Sequence, residues 1–374
     1  MNQNISLGLA RMHAEPGERR DFLPRFVGKL SKRGVKVVLE HGYGSGMGFL
    51  KDDYKKVAPE CVFASSEEIY QQDLVLVLRY PGKALLERMR PGACLISMIH
   101  YPTRPDRVAY LRSLGLEAIS LDSIQDDTGR RLVENLRSVA WNGVEAAFSV
   151  LRTVYPDPGF GSPDRPPVRV TLLGSGAVGI HVVQAAIRYG DQKFWQRMAR
   201  SKIPGVHVNV VDYDLTGHEA HMLEILGKTD LLIDATQRID TSQPVIPNPW
   251  IGCLPKHAVL LDLSVDPYQC ETQPITVKGL EGIPHGNLDK YIFTPEASAY
   301  DEIPGCIDTT HRRYAVSCYS WPGIHPKMCM NHYGKQIFPL VRRIIDKGGP
   351  GNLNPEGTYF ERALARAQLS LWNI

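Results

Sequence analysis

The feature that most constrains the fold is a glycine-rich stretch, VTLLGSGAVGIHVVQAA, at residues 170–186. An apolar run leads into Gly174, Gly176 and Gly179, which have G-x-G-x-x-G spacing, and a helix-forming run follows. Strand, glycine turn and helix in this order form the first unit of a dinucleotide-binding sheet. The first glycine permits a sharp turn, the second leaves room for a pyrophosphate, and the third lets helix and strand pack closely. We therefore predict a dinucleotide site that includes these three glycines and Val178.

An acidic residue closes the next predicted strand. Asp212 ends VHVNVVD, where a carboxylate would bind the ribose 2′-hydroxyl and disfavour a 2′-phosphate. It stands 36 residues after Gly176 (212 − 176), whereas roughly 20 are usual, because an amphipathic polar insertion at 191–205 lengthens the connection. Since no arginine directly follows Asp212, the sequence favours NAD(H) over NADP(H) as the cofactor.

Composition argues against several other classes of protein. The net charge of +3 over 374 residues is too small to indicate a nucleic-acid or anionic-membrane surface. No apolar run approaches the ~20 residues that cross a bilayer, and the N-terminus lacks the order of a secretion signal. Seven cysteines without a CxxC pair argue against a disulfide framework and a structural zinc site. We expect a cytoplasmic protein that binds no nucleic acid, membrane or metal.

Predicted strands and helices alternate in two separate α/β units. The strands of the first unit are expected at 35–42, 73–81, 93–102 and 116–124. Those of the second unit are expected at 168–173, 206–211, 230–235 and 258–263. The final segment from residue 327 is helical with one apolar face, which needs a domain to pack against. We therefore predict that this segment returns to the first unit, which gives the domains 1–137 with 327–374, and an inserted domain 138–326.

Three side chains in the first unit have the chemistry that hydride transfer with an amino or hydroxy acid requires. Arg79 closes DLVLVLR and His100 closes CLISMIH, and open α/β sheets bind ligands at such carboxyl ends of strands. Arg20 precedes the first helix in GERRDFLP. Arginine can hold a carboxylate, and histidine transfers protons near neutral pH. Taken from the residues alone, each also has a structural alternative: a surface arginine, a core histidine, or an ion pair at a domain edge.

Several motifs also occur in the order in which one known family carries them: ERRDFLP, VVLEHGYGSGMGFLKDDYK, DLVLVLRYP, LISMIHYP, GSGAVG, LLDLSVDPYQ and YSWPGIHPK. Over nearly its whole length the chain thus resembles the alanine dehydrogenase and transhydrogenase-domain superfamily, which includes the lysine-forming saccharopine dehydrogenases. The resemblance implies an α/β fold of two Rossmann-like, doubly wound domains. The cofactor domain would be inserted into the substrate domain, with the active site in the cleft.

The resemblance further implies roles for individual residues. Arg20 matches the arginine that binds the substrate carboxylate, and His100 matches the histidine that transfers a proton. Asp266, in DLSVD, matches an aspartate that faces the nicotinamide and the reacting carbon. Arg79 stands where the family has a lysine. Because arginine keeps the charge but does not exchange a proton, we expect Arg79 to serve catalysis and substrate binding through its charge.

These features together predict an NAD-dependent amino-acid dehydrogenase, which interconverts an L-amino acid with its 2-oxo acid and ammonium. A saccharopine- or opine-type dehydrogenase, which joins a 2-oxo acid to the amine of a second amino acid, is an alternative in which Arg79 binds an extra carboxylate. A third is an NAD(H)-binding protein that lost turnover together with its lysine. A transhydrogenase subunit is disfavoured because the sequence shows no membrane segment. The resemblance implies a homo-oligomer, either a dimer or a hexamer.

Overall fold

The structure, a computed structural model, describes residues 5–12 and 15–372. These residues divide into two compact units. Unit 1 is the described part of Met1–Asn135 together with that of His325–Ile374, and unit 2 is Leu136–Ile324. Along the chain, unit 2 therefore interrupts unit 1. Whether the units fold as the separate domains expected from the sequence stays a prediction.

Each unit is built on one six-stranded sheet. The strands of unit 1 are β1 (Ser6–Leu9), β2 (Lys36–Glu40), β3 (Val62–Ala64), β4 (Leu74–Arg79), β5 (Cys94–Met98) and β6 (Glu117–Ser120). The strands of unit 2 are β7 (Val168–Leu173), β8 (Val206–Val211), β9 (Leu231–Asp234), β10 (Val259–Asp262), β11 (Ile292–Phe293) and β12 (Tyr314–Ser317).

The helices follow the same division. Unit 1 contains α1 (Pro24–Ser31), α2 (Lys51–Val57), α3 (Ser66–Tyr70), α4 (Lys83–Leu86), α5 (Pro105–Ser113), α12 (Pro326–Asp346) and α13 (Tyr359–Arg366). Unit 2 contains α6 (Leu136–Val154), α7 (Ala177–Ala186), α8 (Gln192–Arg200), α9 (Tyr213–Thr216), α10 (Glu219–Leu226) and α11 (Asn248–Ile251).

The sheet of unit 1 is parallel throughout and has the order β3-β2-β1-β4-β5-β6. The chain moves from β1 to one edge and then returns through β4 to the other half, so the strand order reverses between β1 and β4. Ligands of open α/β sheets bind beyond the carboxyl ends of the strands at such a reversal. The sequence analysis missed β1, because a four-residue run with a central glycine, SLGL, carries little strand signal.

The long C-terminal helix α12 contributes to the core of unit 1. Ile337, Val341 and Ile344 recur at helical spacing, are fully buried, and belong to one cluster with Leu7 of β1 and Leu39 of β2. Burial of each such side chain stabilises the fold by roughly 1.5–3 kcal/mol before entropy is counted. The apolar face predicted from the sequence is therefore the face that packs in the core of unit 1.

The sheet of unit 2 has the order β11-β12-β10-β9-β7-β8, with only β11 antiparallel to its neighbour among the described strands. Its order reverses between β7 and β9. β7 and β8 have the bounds expected from the sequence, and β9 and β10 are each one residue shorter at both ends than expected. The insertion before β8 forms the helix α8. The expected α/β fold with two Rossmann-like sheets is confirmed.

One disulfide bond is present in unit 2, between Cys270 and Cys306. The cysteine count argued against a disulfide framework and missed this pair, because pairing depends on which Cβ atoms the fold brings together. Among residues 5–12 and 15–372, no helix is long and apolar enough to cross a membrane. The same residues contain no group of three or more His, Cys, Asp or Glu side chains placed to hold a metal ion.

A buried polar network lies at the carboxyl ends of β9 and β10. Asp262 Oδ2 is 2.6 Å from Lys278 Nζ and accepts a hydrogen bond from the Ser317 hydroxyl at 3.2 Å. The Ser264 hydroxyl lies 3.1 Å from both Asp262 Oδ1 and Asp234 Oδ2, so it links the two carboxyl groups. Both aspartates are almost completely buried. Because Lys278 forms its ion pair with Asp262, it neutralises only one of the two carboxyl groups.

The two aspartates respond to this arrangement in opposite directions. Burial raises the pKa of Asp234 to about 6, and the charge of Asp262 adds to the effect, although hydrogen bonds from Thr236 oppose it. Burial also disfavours ionisation of Asp262, but the charge and hydrogen bond of Lys278 outweigh it and lower that pKa. At neutral pH, unit 2 therefore carries an ionised Asp234 at a cost in stability.

Asp234→Asn should stabilise the protein at neutral pH and change little in acid. As the pH rises from about 4 to about 6, the unfolded chain releases the proton that folded Asp234 retains, so wild-type stability falls. Above that range the ionised carboxyl costs on the order of 3 kcal/mol. Asparagine keeps Oδ1 as the acceptor for the Thr236 N–H and hydroxyl.

Thermal unfolding of wild type and variant at about pH 4.5 and about pH 7.5 measures this difference. The exposed Asp214→Asn serves as the control and should shift neither midpoint. An equal shift for Asp234→Asn at both pH values would contradict the assignment.

Candidate functional site

Arg79 and His100 come from neighbouring strands of unit 1. Arg79 is the last residue of β4 and pairs in register with Met98 of β5, and His100 follows two residues later. Since β4 lies beside β1, both side chains belong to the carboxyl edge of the sheet at the reversal of strand order. The structure therefore brings together two of the residues that the sequence singled out.

His100 is held by a carboxylate that the sequence analysis did not identify. Its backbone N–H donates to Asp122 Oδ1 at 3.2 Å, and its ring Nδ1 lies 3.2 Å from Asp122 Oδ2. The Ser120 hydroxyl donates to Asp122 Oδ1 at 2.9 Å. His100 has a left-handed backbone conformation (φ 62°), which is uncommon outside glycine. The two contacts between His100 and Asp122 hold it in place.

This pair has the geometry of an oriented proton carrier. The Asp122 side chain is 6% exposed and the His100 ring 50%, so the carboxylate lies beneath a ring that solvent can reach. Burial raises the pKa of Asp122, but hydrogen bonds and charge from His100 and Ser120 lower it overall. An Nδ1–H that donates to Asp122 leaves the Nε2 lone pair as the basic atom of the ring. Asp122 lies two residues after the end of β6. An acidic residue at the carboxyl end of a predicted strand is the sequence feature that could have identified it.

Arg20 already has a carboxylate partner within unit 1. Its Nε donates to Glu18 Oε1 at 2.8 Å, its Nη2 to Glu18 Oε2 at 2.5 Å, and its Nη1 lies 3.8 Å from Cys329 Sγ. The side chains of Arg20 and Glu18 are 2% and 1% exposed. Burial raises the pKa of Glu18, but Arg20 and, more weakly, Arg79 lower it overall. The role of Arg20 as a ligand of the substrate carboxylate stays a prediction.

Arg79 has a much looser contact. Its Nη2 lies 3.5 Å from Glu15 Oε1, and the two side chains are 34% and 40% exposed. An exposed pair at this separation contributes little stability, typically about 0–1 kcal/mol. Glu15 therefore holds Arg79 less firmly than Glu18 holds Arg20.

The glycines after β7 have different physical roles. Gly174 has φ 86°, and a Cβ there would lie 3.0 Å from the carbonyl oxygen of Ala235. A Cβ at Gly179 would lie 2.3 Å from the carbonyl oxygen of Gly174. At Gly176 it would meet no described atom within 4 Å. The outer two glycines therefore serve packing, whereas Gly176 borders open space.

That open space lies at the N-terminus of α7. Gly176 is the N-cap residue and has no side chain with which to cap the ten-residue helix, so it leaves the first N–H groups for another acceptor. Val178, half-buried, is in the first turn. Free N–H groups and the positive end of the helix dipole favour a phosphate group. This part of unit 2 fits the pyrophosphate of a dinucleotide.

Asp212 lies beside the same turn despite its unusual sequence spacing. The Ser175 hydroxyl donates to Asp212 Oδ2, and the Tyr213 N–H donates to Oδ1 at 2.9 Å. The Ser175 bond is the main cause of the lowered pKa of Asp212, so the carboxylate is negative at neutral pH. The insertion that displaced Asp212 in sequence leaves it next to the glycine turn in space.

Asp266 is partnered by an arginine that the sequence analysis missed. Arg238 Nη2 lies 2.6 Å from Asp266 Oδ2, and Arg238 also donates to the carbonyl oxygens of Gln243 and Val277. The preceding Val265 has φ 64°, an unfavourable conformation for a β-branched residue. This segment therefore holds Asp266 in a defined orientation with 28% of its side chain exposed.

Known proteins resemble the chain at the level of sequence and of fold. Residues 13–141 match the family model for the alanine dehydrogenase/PNT N-terminal domain. An alanine dehydrogenase of Mycolicibacterium smegmatis is 24% identical over 344 residues, which cover 87% of this chain and 83% of that protein. An NAD(P) transhydrogenase subunit alpha of Haemophilus influenzae is 23% identical over 49% of this chain and 36% of its own length.

A solved structure of an L-alanine dehydrogenase has the same fold. It superposes with a TM-score of 0.70 at 18% identity and covers 97% of this chain and 94% of its own. At 18% identity, this similarity is evidence about the fold of the chain alone.

Two glycine variants distinguish ligand binding from packing in this turn. Gly176→Ala should change stability by less than about 0.5 kcal/mol, because its methyl group enters open space. It should weaken binding of NADH about tenfold or more, since that space is where a pyrophosphate would approach. Gly179→Ala should lose about 1–3 kcal/mol, because its methyl group overlaps a backbone oxygen.

Denaturant unfolding and NADH fluorescence titration measure the two effects separately. Undiminished NADH binding by a folded Gly176→Ala protein would remove the turn from the dinucleotide site.

Proposed function

We propose that this chain is an NAD-dependent amino-acid dehydrogenase of the alanine dehydrogenase/PNT superfamily, which it resembles in sequence and in fold. In the deaminating direction, an L-amino acid, NAD⁺ and water give a 2-oxo acid, ammonium, NADH and a proton. The observation that carries the proposal is the His100–Asp122 pair at the same sheet edge as Arg79. A proton carrier and an anion-binding arginine at one edge are what this reaction requires.

Unit 2 is proposed to hold the cofactor. Gly174, Gly176, Val178 and Gly179 would receive the pyrophosphate at the N-terminus of α7. Asp212 supports NAD(H) over NADP(H), because its negative charge beside the turn would repel a 2′-phosphate. When bound, the nicotinamide ring supplies the hydride chemistry.

Unit 1 is proposed to bind and activate the amino or 2-oxo acid. Arg20 and Arg79 would both pair with the substrate carboxylate, Arg79 in place of its loose contact with Glu15. His100 would take a proton at Nε2 during deamination and return it during amination, while Asp122 stabilises the protonated ring. Arg79 supplies charge only, so proton transfer rests on His100.

The remaining predicted features stay proposals. Asp266, oriented by Arg238, would position the water or ammonia that adds to the reacting carbon. We also propose a cytoplasmic homo-oligomer whose partners are small amino and 2-oxo acids. Analytical ultracentrifugation would separate a dimer from a hexamer.

The defining test follows NADH oxidation with a panel of 2-oxo acids. Each acid is supplied with ammonium, and in a parallel series with lysine as a primary amine. Turnover with ammonium is expected and supports the proposal. Turnover with the primary amine alone would replace it by a saccharopine- or opine-type reaction. NADH binding without turnover in either series would contradict both and favour a binding protein.

Asp122→Asn should lower turnover without weakening substrate binding. The ring of His100 would lose the charge that orients it and stabilises its protonated form, so kcat should fall about 10- to 100-fold, part of the 10²–10⁴-fold typical of acid–base transfer. KM for the 2-oxo acid and for NADH should change by less than about threefold, because Asp122 contacts the histidine rather than a ligand site.

The control is Asp126→Asn, a half-buried aspartate four residues further along that binds Thr128 and the Arg130 backbone. It should leave kcat unchanged. A rise in KM with unchanged kcat for Asp122→Asn would contradict the proton-carrier arrangement.

A further inference from the structure

The disulfide bond of unit 2 lies next to the segment that carries Asp266. Cys270 follows Asp266 by four residues (270 − 266), and its partner Cys306 is 36 residues further along the chain. The Cα atoms of the pair are 6.6 Å apart, within the range that a disulfide bond spans. The other five cysteines are free thiols. The covalent bond is therefore specific to this place in the fold.

The segment between Asp266 and Val277 forms a loop that is closed at its base. Gln269 and Thr276 exchange two backbone N–H···O=C hydrogen bonds, at 2.9 and 3.0 Å. Arg238 Nη2 donates to Asp266 Oδ2 at 2.6 Å and to the carbonyl oxygen of Val277 at 2.5 Å. Asp266 therefore contacts the same guanidinium group that holds the returning end of the loop.

The tip of this loop, residues 270–275, has little besides the disulfide bond to fix it. Residues 271–274 are all exposed, so no burial of apolar surface anchors them. The hydroxyl of Thr272 donates to carbonyl oxygens of the same loop. The bond to Cys306 is therefore the contact that attaches the tip to another segment of unit 2.

Cys306, in contrast, belongs to a segment that is anchored in the core. The next residue, Ile307, is buried, and Ile303 packs against the apolar cluster that contains Tyr300. The hydroxyl of Tyr300 also donates to the carbonyl oxygen of Arg313 at 2.5 Å. The disulfide bond thus joins an exposed loop to an anchored segment, so its redox state decides whether the tip is held.

The bond is open to exchange with a thiol. Cys306 is exposed and Cys270 is half-buried. A thiolate of a dithiol attacks Cys306 Sγ, Cys270 leaves as a thiolate, and the second thiol of the reductant then displaces Cys306. Two electrons and two protons pass from the dithiol to the protein, which gains two thiols while the dithiol becomes a disulfide. In a reducing compartment, disulfide bonds are usually transient and serve catalysis or redox sensing.

We propose that the Cys270–Cys306 bond is a redox-sensitive tether: when oxidised it fixes the loop that orients Asp266, and when a cellular dithiol reduces it the loop is released and turnover slows. This inference rests on the role and the cytoplasmic location proposed above. Once the tip is free, the entropy of ordering the loop opposes the two backbone hydrogen bonds at its base. The base then opens more often, and Asp266 spends less time in its contact with Arg238.

Thiol alkylation and hydrogen exchange test the tether without turnover. Wild type purified without reductant and then denatured should take up five alkyl groups, and seven after treatment with dithiothreitol, as counted by mass spectrometry. Amide exchange in the peptide 266–277 of the folded full chain should become about tenfold faster on reduction. Exchange in the peptide 168–173, which forms β7, should not change.

Turnover of NADH with the preferred 2-oxo acid and amine gives the functional readout. Dithiothreitol should lower kcat of the wild type about three- to tenfold, because Asp266 is less well oriented. Cys306→Ser should have the lower kcat from the start, and dithiothreitol should not reduce it further. The matched control is Cys253→Ser, an exposed free cysteine of the same unit, which should respond to dithiothreitol as wild type does.

Four results would overturn the proposal. Seven alkyl groups without reductant would show that the bond does not form, and equal exchange in both redox states would show that it fixes nothing. Faster exchange throughout unit 2 would make the bond a general structural link. Unchanged kcat despite faster exchange in 266–277 would remove its control of turnover.

The comparison of wild type with and without dithiothreitol still decides if Cys306→Ser does not fold. Absence of turnover in both redox states would refute the proposed dehydrogenase function. The alkylation and exchange results would be unaffected by that failure, so the two proposals are judged separately.

Discussion

Parallel pairing at the centre of each sheet, of β1 with β4 and of β7 with β9, is the constraint on which the rest of the structure depends. Each pair marks the place where the strand order reverses, so the helices and loops on its two sides diverge and leave the carboxyl ends accessible. Arg79 is the last residue of β4, and the glycine turn follows β7. Backbone hydrogen bonding between the central strands therefore sets the positions of Arg79 and of the glycine turn.

Oppositely charged neighbours then decide what those side chains can do. His100, Arg20 and Asp266 each contact a charged partner within their own unit. The consequences differ because burial differs. The half-exposed ring of His100 is oriented and remains accessible, whereas Arg20 is enclosed together with its partner. The same kind of contact thus leaves one group accessible to solvent and encloses another.

Much of this could be predicted from local patterns. The bounds of β7 and β8 and the spacing of the glycines are properties of short segments, and the structure has both strands as expected. The short central strand β1 was missed, because its stability comes from two neighbours distant in sequence. The same is true of the disulfide bond and of the Asp266–Arg238 pair, whose members are 36 and 28 residues apart.

The sequence by itself determined the α/β class, the division of the strands into two α/β units and the strand–glycine turn–helix order, because alternating apolar runs and glycine spacing act over a few residues at a time. Only the tertiary structure decided which candidate side chains are accessible. It places Asp122 beneath His100 and encloses Glu18 with Arg20, although nothing in the local sequence separates a buried pair from an exposed one. Accessibility and pairing depend on how distant segments pack, and packing is a property of the folded chain as a whole.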